Sequence, residues 1–231
     1  MSKFKTAFAS LALTVMLPSM ANASPVNIQD DATDNGTSVF SNGLGRAVDV
    51  EYLGDQSRVG AGVFGLEYGS DASGWTQFLT FCLQISERLT LPKEYERTTD
   101  TAYFTDQQDR EAVGALFNNF LDTDLGLADA TSAAAMQIIL WEVVEDGAVN
   151  FDLQDGNFEV LTDAVRNRAN GLWDMVIAGL NNEAFDNISF NVFVAEGTQD
   201  LIVETPLPGA VALLLSGLSG LSFASRKKKI A

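Results

Sequence analysis

The chain has 231 residues, carries 31 Asp and Glu against 14 Lys and Arg for a net charge of −17, and contains no His and a single Cys. The lack of His excludes Ser-His-Asp and Cys-His catalysis and every His-ligated metal site, and one Cys excludes an internal disulfide. So acidic a balance repels nucleic acid and anionic lipid, and no nucleic-acid partner is expected.

Residues Met1 to Ala23 read as a signal peptide. Lys3 and Lys5 form a positive start, Ala7 to Met16 an apolar run too short to span a membrane, and Ala21-Asn22-Ala23 a small-residue cleavage site. The exported part is then residues 24–204. All 31 acidic residues and only eight of the 14 Lys and Arg lie between Ser24 and Thr205, so it is more acidic than the whole. Its length suits one domain.

Ser24 to Gly43 is polar and reads as a loose lead-in. From Ala47 the pattern alternates through Val48, Val50 and Tyr52. Gly54-Asp55-Gln56-Ser57 reads as a turn and Val59 to Tyr68 as the return strand of a hairpin. Trp75 to Ile85 reads as a third, central strand. Thr105-Asp106-Gln107-Gln108 has the form of a capping box opening a first helix, with Ala112, Val113, Leu116, Phe117, Phe120 and Leu121 as its apolar stripe. A second helix is expected from about Ser132 to Glu145, and a third from about Phe158 to Leu180, with Met175 on its apolar face. Ile188 to Val194 and Asp200 to Glu204 close the domain as strands. Strands, then helices, then strands define an α+β fold: an antiparallel sheet with a helical insertion or layer of about three helices.

The second helix places Ala133, Gln137, Leu140, Trp141 and Val144 on one face, apolar except for Gln137. Burying an unpaired amide costs about 1–3 kcal/mol, so Gln137 requires a specific partner. Cys82, in Thr80-Phe81-Cys82-Leu83-Gln84, is the other singular residue, on a strand expected to pack against this helix. Other candidates carry less. Glu142, Glu145 and Asp146 would offer carboxylates for glycoside hydrolysis but read better as a solvated helix end. Asp122, Asp124 and Asp129 lack the rest of a calcium loop. Trp75, Trp141 and Trp173 read as core. No metal and no cofactor are expected.

The chain ends in residues 205–231, where Thr205-Pro206-Leu207-Pro208-Gly209 cannot be helix interior. An uncharged run from Ala210 to Ala224 follows, near the short limit for crossing a bilayer, and then four cations, Arg226, Lys227, Lys228 and Lys229. The domain is thus expected to be flanked by an N-terminal signal peptide and a C-terminal transmembrane helix with a basic stop.

Pro206-Leu207-Pro208-Gly209, the single span and the basic cluster resemble the PEP-CTERM sorting tails of bacteria, in their VPLPA-like variant, with Thr205 and Gly209 departing from the pattern. The resemblance implies processing by an exosortase-type protease, transient anchoring in the inner membrane, and release to the cell surface or its polysaccharide matrix. Phe81-Cys82 and Gln137-Ile138-Ile139-Leu140-Trp141 resemble the thioester domains of bacterial surface adhesins, with Met136 and Ile139 departing from the helix motif. This second resemblance spans about Phe78 to Asp146, within a core of about residues 47–204. It implies a bond between Cys82 and Gln137, shielded by Trp141, that attaches a partner covalently. Such a protein is not a turnover enzyme; self-acylation happens once. The same two residues also suit a buried sulfur and a hydrogen-bonded core amide in a passive matrix protein. The sequence leaves both standing, with a glycoside hydrolase a distant third.

Overall fold

Two long strands set the frame, β2 (Phe40–Tyr52) and β3 (Asp55–Ser70), joined by the two-residue turn Leu53-Gly54. Both turn residues have positive φ, 52° and 86°, the twist that matches a right-handed hairpin. The turn is thus tighter and earlier than Gly54 to Ser57. The coordinates are a computed structural model, which describes residues 25–30, 40–70, 72, 74–120, 127–181 and 190–204. The signal peptide, the sorting tail with Pro206 to Gly209 and Arg226 to Lys229, and Asp122 and Asp124 lie outside the described residues.

The remaining strands are β1 (Val26–Asp30), β4 (Gly74–Cys82), β5 (Lys93–Thr99), β6 (Phe158–Val160), β7 (Phe190–Val194) and β8 (Leu201–Glu204). Every pairing is antiparallel. The order β1-β5-β7-β8-β4-β3 returns to β1 through a β1–β3 pairing, so six strands close a barrel. The β2 and β6 strands extend the sheet from β3 beyond it. The barrel is lined by one cluster drawn from all six strands: Ile28, Phe64, Leu66, Cys82, Tyr95, Phe193 and Leu201.

Among the described residues four α-helices pack outside the barrel: the single turn α1 (Asp100–Tyr103), α2 (Gln107–Phe120), α3 (Ala130–Glu145) and α4 (Asp163–Leu180). The α+β class with three long helices is therefore observed. Among the described residues no helix is long and apolar enough to cross a membrane. The larger core lies between α2, α3 and α4 and the outer face of β2, β3 and β4, and includes Phe81, Leu116, Ile138, Leu140, Trp141 and Leu172.

Several expectations are corrected. The polar lead-in contains β1, which pairs with both β3 and β5. Phe158–Val160 is a strand on β2, and α4 begins only at Asp163; the apolar spacing across Phe158, Leu161 and Val165 mimics one helix. Met175 is 39% exposed, off the buried face that Val165, Ala169, Leu172 and Val176 form. The third strand stops at Cys82. The stretch between Cys82 and Gln137 holds β5 as well as helix. Finally, α3 has no single apolar face: every residue from Ser132 to Val143 is buried, because the sheet covers one side and α2 and α4 the other.

Candidate functional site

The position of Gln137 is set from the start of α3. Asp129 caps the helix, its Oδ1 accepting from the backbone N–H of Thr131 and of Ser132, both at 2.8 Å. Those bonds hold its carboxyl below the usual range. Arg46 on β2 donates to Thr131 Oγ1 at 2.7 Å, and Arg168 on α4 donates to Ser132 Oγ at 3.1 Å. The helix is thus pinned to sheet and helical layer in its first turn, and Gln137 is delivered fully buried one turn further on.

There its carboxamide meets β4 end on. The Cys82 N–H donates to Gln137 Oε1 at 3.0 Å, and Gln137 Nε2 donates to the Cys82 carbonyl at 2.5 Å. One side chain thereby satisfies both backbone groups of one residue, as a neighbouring strand would. The reason lies in β3. Its ladder with β4 ends at Phe64 and Thr80, and continuing the register would set Gly62 against Cys82. At Gly62 φ is 153°, and a Cβ there would sit 2.2 Å from the Leu44 carbonyl oxygen. The strand is bent toward β2 at this point, and Gln137 fills the gap. On the other edge of β4 the pairing is ordinary: Leu83 N–H donates to the Asp200 carbonyl at 2.9 Å, and Thr80 Oγ1 donates to the Ile202 carbonyl at 2.7 Å.

Strand alternation sends Phe81 into the helical core, edge-on to Phe117, and Cys82 into the barrel. Both Cys82 and Gln137 are completely buried. Burial pushes the Cys82 thiol well up, so it is a neutral S–H at ordinary pH. Tyr95 shares its cluster, and burial pushes that phenol up to about 12. The carboxamide of Gln137 is held between the N–H and C=O of Cys82. A buried thiol and a buried carboxamide thus belong to two residues in direct contact through the Cys82 backbone. The reaction open to them is attack of Sγ on the carboxamide carbon: a C–S bond forms, the C–N bond breaks, and the thiol proton leaves on nitrogen as ammonia.

Trp141 stands one helical turn beyond Gln137, 2% exposed and edge-on to Phe158 at 6.1 Å. Its indole N–H has no partner among the described residues. The acidic end of α3 is not a solvated face. Glu142 is fully buried, and burial pushes its carboxyl up to about 7. Glu145 accepts from Tyr52 Oη at 3.0 Å, and Asp146 accepts from the backbone N–H of Asn157 and of Phe158. These carboxylates hold the returning loop. Asp129 is spent as a cap, and among the described residues no group of three or more His, Cys, Asp or Glu is placed to hold a metal ion. Trp173 stacks on Phe151 at 4.1 Å. The sequence reading missed Tyr95 and the burial of Glu142. Tyr95 is the one apolar residue inside Lys93–Thr99, and its flanking by charges on both sides was the available signal for a half-buried strand.

No known protein family and no curated protein matches the chain. Among solved structures, the N-terminal thioester domain of a surface protein from Clostridium perfringens superposes with a TM-score of 0.43 at 12% identity, over 69% of this chain and 99% of that one. A superposition at that level is a similarity of outline, and the chemistry rests on the contact between Cys82 and Gln137.

Proposed function

We propose that the chain is an exported surface or matrix protein whose domain joins a partner covalently, once, through an internal thioester between Cys82 and Gln137. The observation that carries this is the seating of the Gln137 carboxamide on the backbone of Cys82, with both residues completely buried. A thioester needs its two halves adjacent and its carbonyl protected from hydrolysis, and the backbone contact and complete burial of the two residues support that reading. A nucleophile from a partner would then attack the acyl carbon, Cys82 would depart as a thiol, and the partner would remain on residue 137. The signal peptide, the Pro206-Pro208 motif and the terminal cations support export and sorting by an exosortase-type system, with the inner membrane as a transient anchor.

Intact mass of the purified protein tests the bond. The thioester form weighs one ammonia less than its sequence, resists alkylation of Cys82, and gains the mass of methylamine at residue 137 when that amine is added. Full mass with Cys82 alkylated on unfolding would make the pair a core amide and a core sulfur, and the protein a non-covalent matrix component.

A further inference from the structure

Cys82 and Gln137 are both sealed, so an acceptor needs a way to the acyl carbon. A cavity of about 520 Å³ lies on the Trp141 side of the site, walled by Phe40, Phe64 and Trp141 and by the segment that follows β4, with Cys82 and Gln137 themselves behind that wall. Trp141 is one turn past Gln137 on α3, Phe64 belongs to the barrel cluster that holds Cys82, and Ile85, also on the wall, is three residues past Cys82. A second cleft of similar size includes Tyr95 and is lined by Glu87, Glu94, Glu96 and Glu196. It has no residue of α3 in its wall.

The charge of the first cavity is unusual for this chain. Arg58, Glu87 and Arg88 are its titratable lining groups, two cations and one anion in a protein of net charge −17. Arg58 faces Asp49 at 3.5 Å with both side chains largely exposed, a pair that an incoming carboxylate can displace. Arg88 is exposed, with no ion pair among the described residues. The wall also carries Trp141, whose buried indole N–H is without a partner among the described residues. Aromatic walls suit the apolar faces of sugar rings, and two guanidinium groups suit carboxylates and repel ammonium.

We propose that this cavity is the acceptor site and that its acceptor is a carboxylate-bearing polysaccharide, coupled through a hydroxyl. The proposal rests on the thioester reading. Carboxylates of the glycan meet Arg58 and Arg88, and a neighbouring sugar hydroxyl reaches the acyl carbon of residue 137. Its oxygen bonds to that carbon, the C–S bond breaks, and the hydroxyl proton passes to Sγ of Cys82, leaving an ester and a free thiol. An acidic peptide offers carboxylates but few hydroxyls beside them, and a lysine amine would have to pass two guanidinium groups.

The test uses the full-length chain and intact mass, with adducts mapped by peptide sequencing. The chain is incubated separately with a galacturonic acid oligomer, a neutral galactose oligomer, Nα-acetyl-lysine and methylamine. The acidic oligomer is expected to form an ester at residue 137 about tenfold faster than the neutral one, and to lose that advantage in 0.5 M salt, where the Debye length falls to about 4 Å. In the exposed double variant Arg58→Gln, Arg88→Gln, the ratio of uronate to methylamine coupling is expected to fall about tenfold, since each exposed charge contact is individually weak. Equal coupling of acidic and neutral oligomers, a ratio unmoved by the double variant, or preferred coupling of the lysine derivative would overturn the acceptor assignment while leaving the thioester intact. A chain of full mass that couples nothing, methylamine included, would overturn the thioester reading and this proposal together.

Discussion

Glu142 accepts the backbone N–H of Asp152 at 2.8 Å through one carboxylate oxygen, and its other oxygen is buried with no partner among the described residues. The loop that follows α3 is thereby folded over a carboxyl that the interior prefers protonated. Burial is the main cause of its rise, opposed by the bond from Asp152 and aided by the nearby Asp146 and Asp152 carboxylates.

The consequence is a pH-dependent stability. The native state binds the Glu142 proton up to about pH 7, whereas the unfolded chain releases it near 4.5, so stability falls as pH rises through that window. Glu142→Gln keeps the acceptor for Asp152 and removes the charge. Its unfolding free energy is expected to match wild type at pH 4 and exceed it at pH 8 by about 2–3 kcal/mol, the cost of ionising Glu142 in the interior. Burial pushes Glu145 and Asp200 in the same direction, so the difference between the two proteins is the quantity to follow by urea unfolding. A variant equal to wild type at pH 8 would show that Glu142 is hydrated.

Gly62→Ala should be costly for a small change. The added methyl would meet the Leu44 carbonyl oxygen at 2.2 Å and the Gly45 Cα at 2.5 Å, and φ of 153° is poorly suited to any side chain. A loss of roughly 2–4 kcal/mol is expected from strain and overpacking. Gly43→Ala serves as the comparison, because a Cβ there has open space around it and only its φ of 73° is strained. If both variants unfold at the same urea concentration, the close approach of β3 to β2 is not what bends the strand.

Gln137→Glu, made in a Cys82→Ala background where no thioester can form, isolates the amide. The new carboxylate would lose the donor to the residue 82 carbonyl and face that oxygen in a dry interior. A destabilisation of about 3 kcal/mol at pH 7 is expected. Burial favours its protonated form, so the loss should shrink as pH falls. A loss independent of pH would mean that the charge is not buried.

The tail is tested in a host carrying an exosortase-type protease. Replacing Pro206 and Pro208 by Ala should leave the protein in the membrane fraction and abolish its release, since the apolar run and basic stop are untouched. Normal release of the double variant would show that the motif is not read.

How much of this was legible depended on whether local pattern and tertiary role agreed. The Ala47 to Tyr68 hairpin, the helix through Gln137 and the pairing of Cys82 with that helix follow from alternation, helical spacing and two residues that stand out chemically. The β5 strand was not legible, because Lys93–Thr99 buries little besides Tyr95 and is held by closure of the barrel onto β1 and β7. The β6 strand was lost because three residues are too few to show a period. Glu142 was placed outside because an acid at a helix end usually is; only the distant loop ending at Phe158 encloses it.

A further consequence follows from α3 being enclosed on every side. A partner joined at residue 137 would pull on the most deeply held helix of the domain, not on a surface loop. If the opposite end of the load is the C-terminal tail, the force leaves through β8, whose strand is bonded to β4 on one edge and β7 on the other. Tension along that strand would load those ladders in shear, with several hydrogen bonds breaking together and not one at a time. Residue 137 and the exit strand are linked through β4 itself, so such a load would pass through Cys82 between them.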